Sequence, residues 1–329
     1  MSTVPADQER RPLEIRRLLA DNPAITLTFV FVGLFLTTDI VNRAQSGEAF
    51  LTATQLSTTF LYAAILGLIA AGQTLVMLTG GVDLSVATTA TAAAFTVSRV
   101  GTHGAAEAIA LALGVGLMIG LVNGVGVSIF RVNALIMTLG VSVITLGLLT
   151  VEAQGQFTSL VPDFVATLGS ERVLTYIPYD LFIWAPIAAV IILGLRYSGI
   201  GRMIYAVGDN PVAARLGGVR VWQVQLFVYA TCGVLSALGG ILLVGFNNAA
   251  DLGIGAPFLL PSVAAVVIGG TSIFGGSGGY AGTIFGALIL TVLDSLLTIL
   301  NASQATRQIL YGAIILALAS LYARASSRD

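Results

Sequence analysis

Gly72 to Val86 reads GQTLVMLTGGVDLSV, and its reading decides what kind of chain this is. The stretch closes an uncharged run. From Ala49 to Val82 there is no Asp, Glu, Lys or Arg, so the segment ahead of Asp83 is apolar enough to lie in lipid. An ionisable side chain at such a place is costly unless it faces protein or a wet cavity, which makes Asp83 a functional candidate by position. The competing reading is that Asp83 sits at headgroup level and only ends a span. Gly80 and Gly81 free the backbone at the same point, and a membrane tolerates that only where the chain lines a cavity or is buried in protein.

Composition extends this reading to the whole chain. Hydrophobic residues make up 56% of the sequence and charged residues 9%, with a mean hydropathy of +0.94, whereas a soluble domain carries about a quarter charged residues. The apolar runs recur along nearly the whole length, so one anchor on a soluble domain does not describe them. A span needs about 20 mainly apolar residues. Such runs lie near residues 24–41, 59–80, 84–99, 107–129, 133–152, 180–196, 224–246, 258–274, 280–299 and 307–323. The expected fold is all-α and polytopic, with about ten transmembrane helices. The 84–99 run is short for a full crossing. The uncharged run from Leu252 to Leu293 is too long for one helix and is divided at Gly275-Gly276-Ser277-Gly278-Gly279.

All 15 basic residues are arginines. Without lysine there is no P-loop lysine, Schiff base or lysine general base. One histidine (His103, in a Gly-Thr-His-Gly turn) and one cysteine (Cys232, in an apolar run) exclude a metal cluster and a disulfide framework. No catalytic, cofactor-binding or metal-binding residue is expected, and the chain reads as a non-enzyme. The basic stretch holding Arg10, Arg11, Arg16 and Arg17 precedes the apolar run from Ala24 to Thr38 without a convincing small-x-small cleavage site, so it reads as the flank of a retained first span.

Arginine counting sets the orientation. With the N-terminus inside, ten spans place Arg10, Arg11, Arg16, Arg17, Arg131, Arg196, Arg202, Arg215, Arg220, Arg324 and Arg328 in the cytoplasm. Arg43, Arg99, Arg172 and Arg307 fall outside. Residues 1–23 are then a cytoplasmic segment, 24–323 the membrane domain, and 324–329 a cytoplasmic tail. Two loops exceed mere turns: 197–223 inside, and 153–179 outside, the latter with room for a short interfacial helix. Gly116, Gly120 and Gly124 recur every four residues on one span, as do Gly278, Gly282 and Gly286 five spans later. Such small-residue faces let helices approach closely, and the spacing suggests a five-span inverted repeat.

The inner loop reads GIGRMIYAVGDNPVAARLGGVRV over 199–221. Asp209 or Asn210 can cap a helix with Pro211 in its first turn, and Gly217-Gly218 can end it. A short capped helix on a loop suits insertion into a groove of a soluble partner. A plain interhelical loop bearing positive-inside arginines is the alternative. Residues 264–279, AAVVIGGTSIFGGSGG, lack the Lys-Ser/Thr of a phosphate cradle; a broken helix or tight turn lining a pathway, with Gly269 and Gly270 in it, fits better.

Taken together, GQTLVMLTGGVDLSV, GRMIYAVGDNPVAARLGGV and AAVVIGGTSIFGGSGG resemble the signature segments of permease subunits of bacterial ABC-type monosaccharide importers, the ribose/galactose/xylose permease group. Their order and approximate spacing match over roughly residues 25–323. The resemblance implies an inner-membrane subunit working as a pair, with a second copy or a sister permease. It also implies a cytoplasmic ATPase that holds ATP and Mg, and a periplasmic sugar-binding protein. Residues 208–217 would be the helix that docks on the ATPase, with Arg202, Asn210, Ala213, Ala214, Arg215 and Gly217 matching there. Two positions depart from the pattern: Ala87 stands where the family has glycine, and Asp294 where it often has a neutral polar residue.

The function expected is a translocation path worked by alternating access. Gln73, Thr79, Asp83, Ser85, Asn133, Asn247 and Asn248 are the path candidates, because neutral amides and hydroxyls exchange hydrogen bonds with a polyol. Helix–helix hydrogen bonding is their structural alternative. A branched-chain amino acid permease and a stand-alone channel or secondary carrier are the rival functions. The arginine count moves Gly80, Gly81, Asp83 and Ser85 to the inner end of the second span, where they read as a turn or gate.

Overall fold

The computed structural model describes residues 23–153, 160–173 and 177–326. Most of the expected N-terminal segment, the end of the tail and parts of the 153–179 loop lie outside the described residues. In chain order the helices are α1 (Pro23–Ser46), α2 (Ala53–Leu78), α3 (Val86–Val100), α4 (Ala105–Ser128), α5 (Ala134–Ala153), α6 (Asp163–Ser170) and α7 (Asp180–Tyr197). They continue as α8 (Gly199–Asp209), α9 (Pro211–Leu216), α10 (Val221–Asn247), α11 (Leu259–Ile268), α12 (Tyr280–Ile299) and α13 (Gln304–Ser326). A two-stranded antiparallel ribbon, β1 (Arg172–Val173) and β2 (Ile177–Pro178), lies between α6 and α7.

The all-α polytopic expectation is met. Among the described residues, α1, α2, α4, α5, α7, α10 and α12 are the 7 helices long and apolar enough to cross a membrane. Their exposed faces are apolar, as Ile136, Val143, Leu148 and Val151 of α5 illustrate, which suits a helix facing lipid or another apolar surface. Several boundaries differ from the sequence reading; α2, for example, begins at Ala53 rather than 59. α1 runs on past residue 41 because Arg43 pairs with Asp39 one turn back at 2.8 Å, while Asp39 also accepts the Phe50 amide at 2.8 Å. α11 stops at Ile268 rather than 274, because Gly269 approaches Gly282 and Gly270 takes φ +86. The first glycine of the second triple, Gly278, lies in the turn ahead of α12 and not on a helix. The outer-loop helix α6 packs on the end of α10, with Gly169 against the Gly245–Phe246 backbone.

α2 is buried almost all round and packs against α10, the other largely buried helix. The two halves of the bundle repeat one pattern. α10 packs on α3 and α4, and α2 packs on α11 and α12; α3 contacts α4 and α5, and α11 contacts α12 and α13. Exchanging α2–α5 for α10–α13 therefore maps each of these contacts onto another. The breaks repeat as well. α2 ends in left-handed Gly80 (φ +79), and three residues later Asp83 accepts the Ser85 amide at 2.8 Å. α10 ends in left-handed Asn248 (φ +53), and three residues later Asp251 accepts the Gly253 amide at 2.7 Å. Arg131 between α4 and α5, and Asn301 between α12 and α13, are the matching left-handed residues of the later turns. The short helices α3 and α11, of 15 and 10 residues, follow these two breaks. Interrupted apolar segments at corresponding positions of two halves point to the functional centre of a transporter fold.

Candidate functional site

The three motifs meet at one end of the bundle. Val76 and Met77 carbonyls accept the amides of Gly81 (3.2 Å) and Gly80 (2.9 Å), a C-terminal closure that needs the left-handed Gly80. This turn leaves the Leu78 carbonyl facing away from its own helix, where the Gly276 amide donates to it at 3.1 Å. Gly208, near the end of α8, fits between these two strands of chain: a methyl there would meet the Leu78 carbonyl and the Gly276 amide. Tyr205, one turn earlier on α8, donates its hydroxyl to the Gly278 carbonyl at 2.8 Å. Burial raises the Tyr205 phenol above its ordinary value, so it remains a neutral donor. The junction is thus backbone against backbone, and only glycine permits that distance of approach.

α9 hangs from this junction. Asn210 caps it, its side chain accepting the amides of Val212 and Ala213 at 3.0 Å each, with Pro211 as the first helical residue. Of the two candidate caps it is Asn210, while Asp209 closes α8. Gly217 ends the helix through the Ala213 carbonyl at 2.9 Å. Ala214 is buried toward the bundle, whereas Arg202, Ala213, Arg215 and Gly217 are exposed; Leu216 is 86% exposed. α8 and α9 therefore make an arm with a buried root and an apolar, basic outer surface.

Inward of the junction lies a buried polar seam. The Ser85 hydroxyl donates to Asp83 at 2.6 Å and accepts from the Asn123 amide at 2.7 Å, joining the break to α4. Thr138 of α5 accepts the Leu84 amide at 3.0 Å. Gly81 leaves room for the Tyr229 hydroxyl of α10. Among the described residues, the Gln73 amide, the Tyr229 hydroxyl and the Asn123 carbonyl oxygen are buried without a hydrogen-bond partner. Unpaired buried polar atoms are costly, and such a set beside a chain break has bonds to offer when the packing changes.

Two cavities flank this seam. One, of about 950 Å³, lies on the α9 side and reaches Thr79, Gly80, Gly81 and Tyr229, with Arg131, Arg215 and Arg220 at its walls. The other, of about 580 Å³, opens at the opposite end between α2, α10, α11, α12 and α13. Both fall in the ~300–1,000 Å³ range of small-molecule sites. Each cavity sits on one of the two repeat-related breaks.

Of the residues singled out in the sequence, Gly80, Gly81 and Thr79 reach the first cavity and Asn247 lines the second. Asp83 and Ser85 hold the turn between α2 and α3. Gly269 and Gly270 end α11, where Gly269 abuts Gly282. Asn133 caps α5 by accepting the Leu135 amide at 3.0 Å, and Asn248 is the left-handed end of α10. Sequence reasoning did not single out Tyr205, Gly208, Asn123 or Tyr229. The first two stand inside a quoted motif, but their contacts are to segments far away in the chain.

Comparison with known proteins settles the family. Residues 55–319 match the family described as branched-chain amino acid transport system / permease component. The chain belongs to it. It is 36% identical over 274 residues to the ribose import permease protein RbsC of Escherichia coli (strain K12), covering 81% of this chain and 85% of that one. It is 31% identical to the RbsC of Bacillus subtilis, over 87% and 89% of the two chains. The autoinducer 2 import system permease protein LsrC of Yersinia enterocolitica is 32% identical, over 78% and 72%. No solved structure matches the chain. The resemblance carried by the three motifs is therefore borne out, and the amino acid rival has only the family's description behind it.

Proposed function

We propose that this chain is the membrane-spanning subunit of an ATP-driven importer, forming the path for a monosaccharide released by a periplasmic binding protein. The relatives named for ribose and autoinducer 2 import support this reading. The observation that carries it is the attachment of the α8–α9 arm, through Gly208, to the end of α2 beside the Thr79–Gly81 turn that bounds the 950 Å³ cavity, with Tyr205 holding the adjacent 275–279 turn. The arm side faces the cytoplasm of a bacterial inner membrane, as the arginine bias requires, and both termini lie there. The ATPase that binds ATP and Mg docks on α9, with Ala213, Arg215 and Gly217 at the contact, Ala214 seating the helix on the bundle, and Arg202 and Asn210 supporting it. A second copy or a sister permease completes the membrane part.

The mechanism follows from the two cavities. Movement of the arm shifts the Leu78–Gly276 junction, and the breaks at 79–85 and 269–279 exchange one packing for another. The outer cavity then closes as the inner one opens. Gln73, Thr79, Asp83, Ser85, Asn247 and Asn248 lie along or beside that route, and Asn133 steadies the inner turn. No chemistry occurs in this chain; the ATPase supplies the difference in free energy between states. Reconstitution tests the proposal. Uptake into proteoliposomes should require the ATPase, ATP and the binding protein together. Uptake by this chain alone, without ATP, contradicts it.

A further inference from the structure

The outer cavity contains a charged pair. Asp294 of α12 accepts, on a single oxygen (Oδ1), the Arg307 guanidinium at 2.8 Å and the Tyr311 hydroxyl at 2.9 Å. Both partners belong to α13, and Arg307 also reaches the Ala302 carbonyl at 3.4 Å. All three side chains line the cavity. Arg307 is 16% exposed and Asp294 46% exposed, so the carboxylate is fixed by its partners yet remains open to the cavity. Among the described residues, its second oxygen accepts no hydrogen bond and the second terminal nitrogen of Arg307 donates none.

We propose that Asp294 and Arg307 form a binding site for a neutral, hydroxyl-rich ligand entering the outer cavity; this rests on the reading of the chain as a sugar path. A charged pair already neutralised by its own contact attracts neither an anion nor a cation strongly. What it presents is a free carboxylate oxygen beside free guanidinium N–H groups, an acceptor next to donors in fixed geometry. A hydroxyl both donates and accepts, so two neighbouring hydroxyls can satisfy this pair together, and charge-assisted hydrogen bonds are stronger than neutral ones. Thr58, Thr298 and Asn247 add neutral polar groups to the same walls, and Tyr62 adds an aromatic ring that can cover the C–H face of a sugar. A zwitterionic amino acid would have to part the 2.8 Å pair to use both charges.

The test uses the full chain in membrane vesicles, with Cys232→Ser and a reporter cysteine Thr58→Cys. A membrane-impermeant methanethiosulfonate should label the reporter from the outer side. Millimolar D-ribose or D-galactose should slow labelling, and L-leucine should not. Asp294→Asn should leave the unprotected rate as it is but weaken protection about tenfold or more, as expected for a lost charged hydrogen bond. Arg307→Gln provides the same comparison should Asp294→Asn fold poorly. The proposal is overturned if the reporter is not labelled, if neither sugar protects, if leucine protects instead, or if protection survives both substitutions. The result is independent of the importer reading: sugar protection without ATP-driven uptake would sink that reading and leave the site standing.

Discussion

The Gly276 amide donates to the Leu78 carbonyl at 3.1 Å, joining the last residue of α2 to a loop far along the chain. Gly208 lies against both groups of this bond. Segments that are separate motifs in the sequence are here one joint, and its geometry makes specific demands on side-chain size.

Gly208→Ala should be destabilising, because the added methyl meets backbone on both sides. A loss of roughly 1–3 kcal/mol is expected for such overpacking. Gly140→Ala, at a position with open space around it, should be neutral or slightly stabilising. Thermal melting of the detergent-purified variants checks the contrast; equal effects would contradict the close approach.

Asn210→Ala should loosen α9 by ~1 kcal/mol through loss of the cap, and Asn210→Asp should restore it. Copurification of the ATPase should fall with Ala and recover with Asp. Unchanged association with Asn210→Ala would mean that α9 does not need its capped form to dock.

Tyr280 donates its hydroxyl to the Gly67 carbonyl at 2.8 Å and accepts the Trp184 indole N–H at 2.6 Å, tying α12, α2 and α7 together in the core. Tyr280→Phe leaves the buried Trp184 N–H unpaired and removes the second bond of the Gly67 carbonyl, and should cost about 1–3 kcal/mol in stability. A melting temperature equal to that of the wild type would show that the three-helix tie contributes nothing.

Orientation has its own check. In a Cys232→Ser background, Gln45→Cys at the end of α1 should react with an impermeant thiol reagent in intact cells. Phe130→Cys, exposed in the turn after α4, should react only in inverted vesicles. The reverse pattern would invert the topology.

Much of the fold is legible in the sequence because lipid writes it in long apolar runs. Ten runs became ten helices, and the Asn210-Pro211 start and Gly217 end of α9 follow from local rules that need no tertiary contact. Of the expected five-span inverted repeat, the contacts match between four helices of each half, α2–α5 and α10–α13, and that correspondence was legible only in part. Gly116 and Gly120 do pack closely, against α10, but Gly278 belongs to a turn. The stronger marks of the repeat are the left-handed Gly80 and Asn248, each three residues before an Asp. Those are backbone properties, and a glycine and an asparagine share no letter. The site was less legible for a similar reason. Tyr205 and Gly208 act through Gly278 and Leu78, and no local pattern announces a partner so distant in the chain. Asp294 stood in the sequence without a role, because Arg307 and Tyr311 meet it only once α12 and α13 form their hairpin.

In the proposed mechanism the α8–α9 arm moves the Thr79–Gly81 turn of the cavity through this joint. Tyr205→Phe removes one hydroxyl and its bond to the Gly278 carbonyl while keeping the ring. The decisive measurement is sugar taken up per ATP hydrolysed, in proteoliposomes holding the chain, its ATPase and its binding protein. Tyr205→Phe should assemble normally but lower this ratio by roughly threefold to tenfold, the factor for a hydrogen bond of about 1 kcal/mol made in one state only. An unchanged ratio in a normally assembled variant would contradict that mechanism.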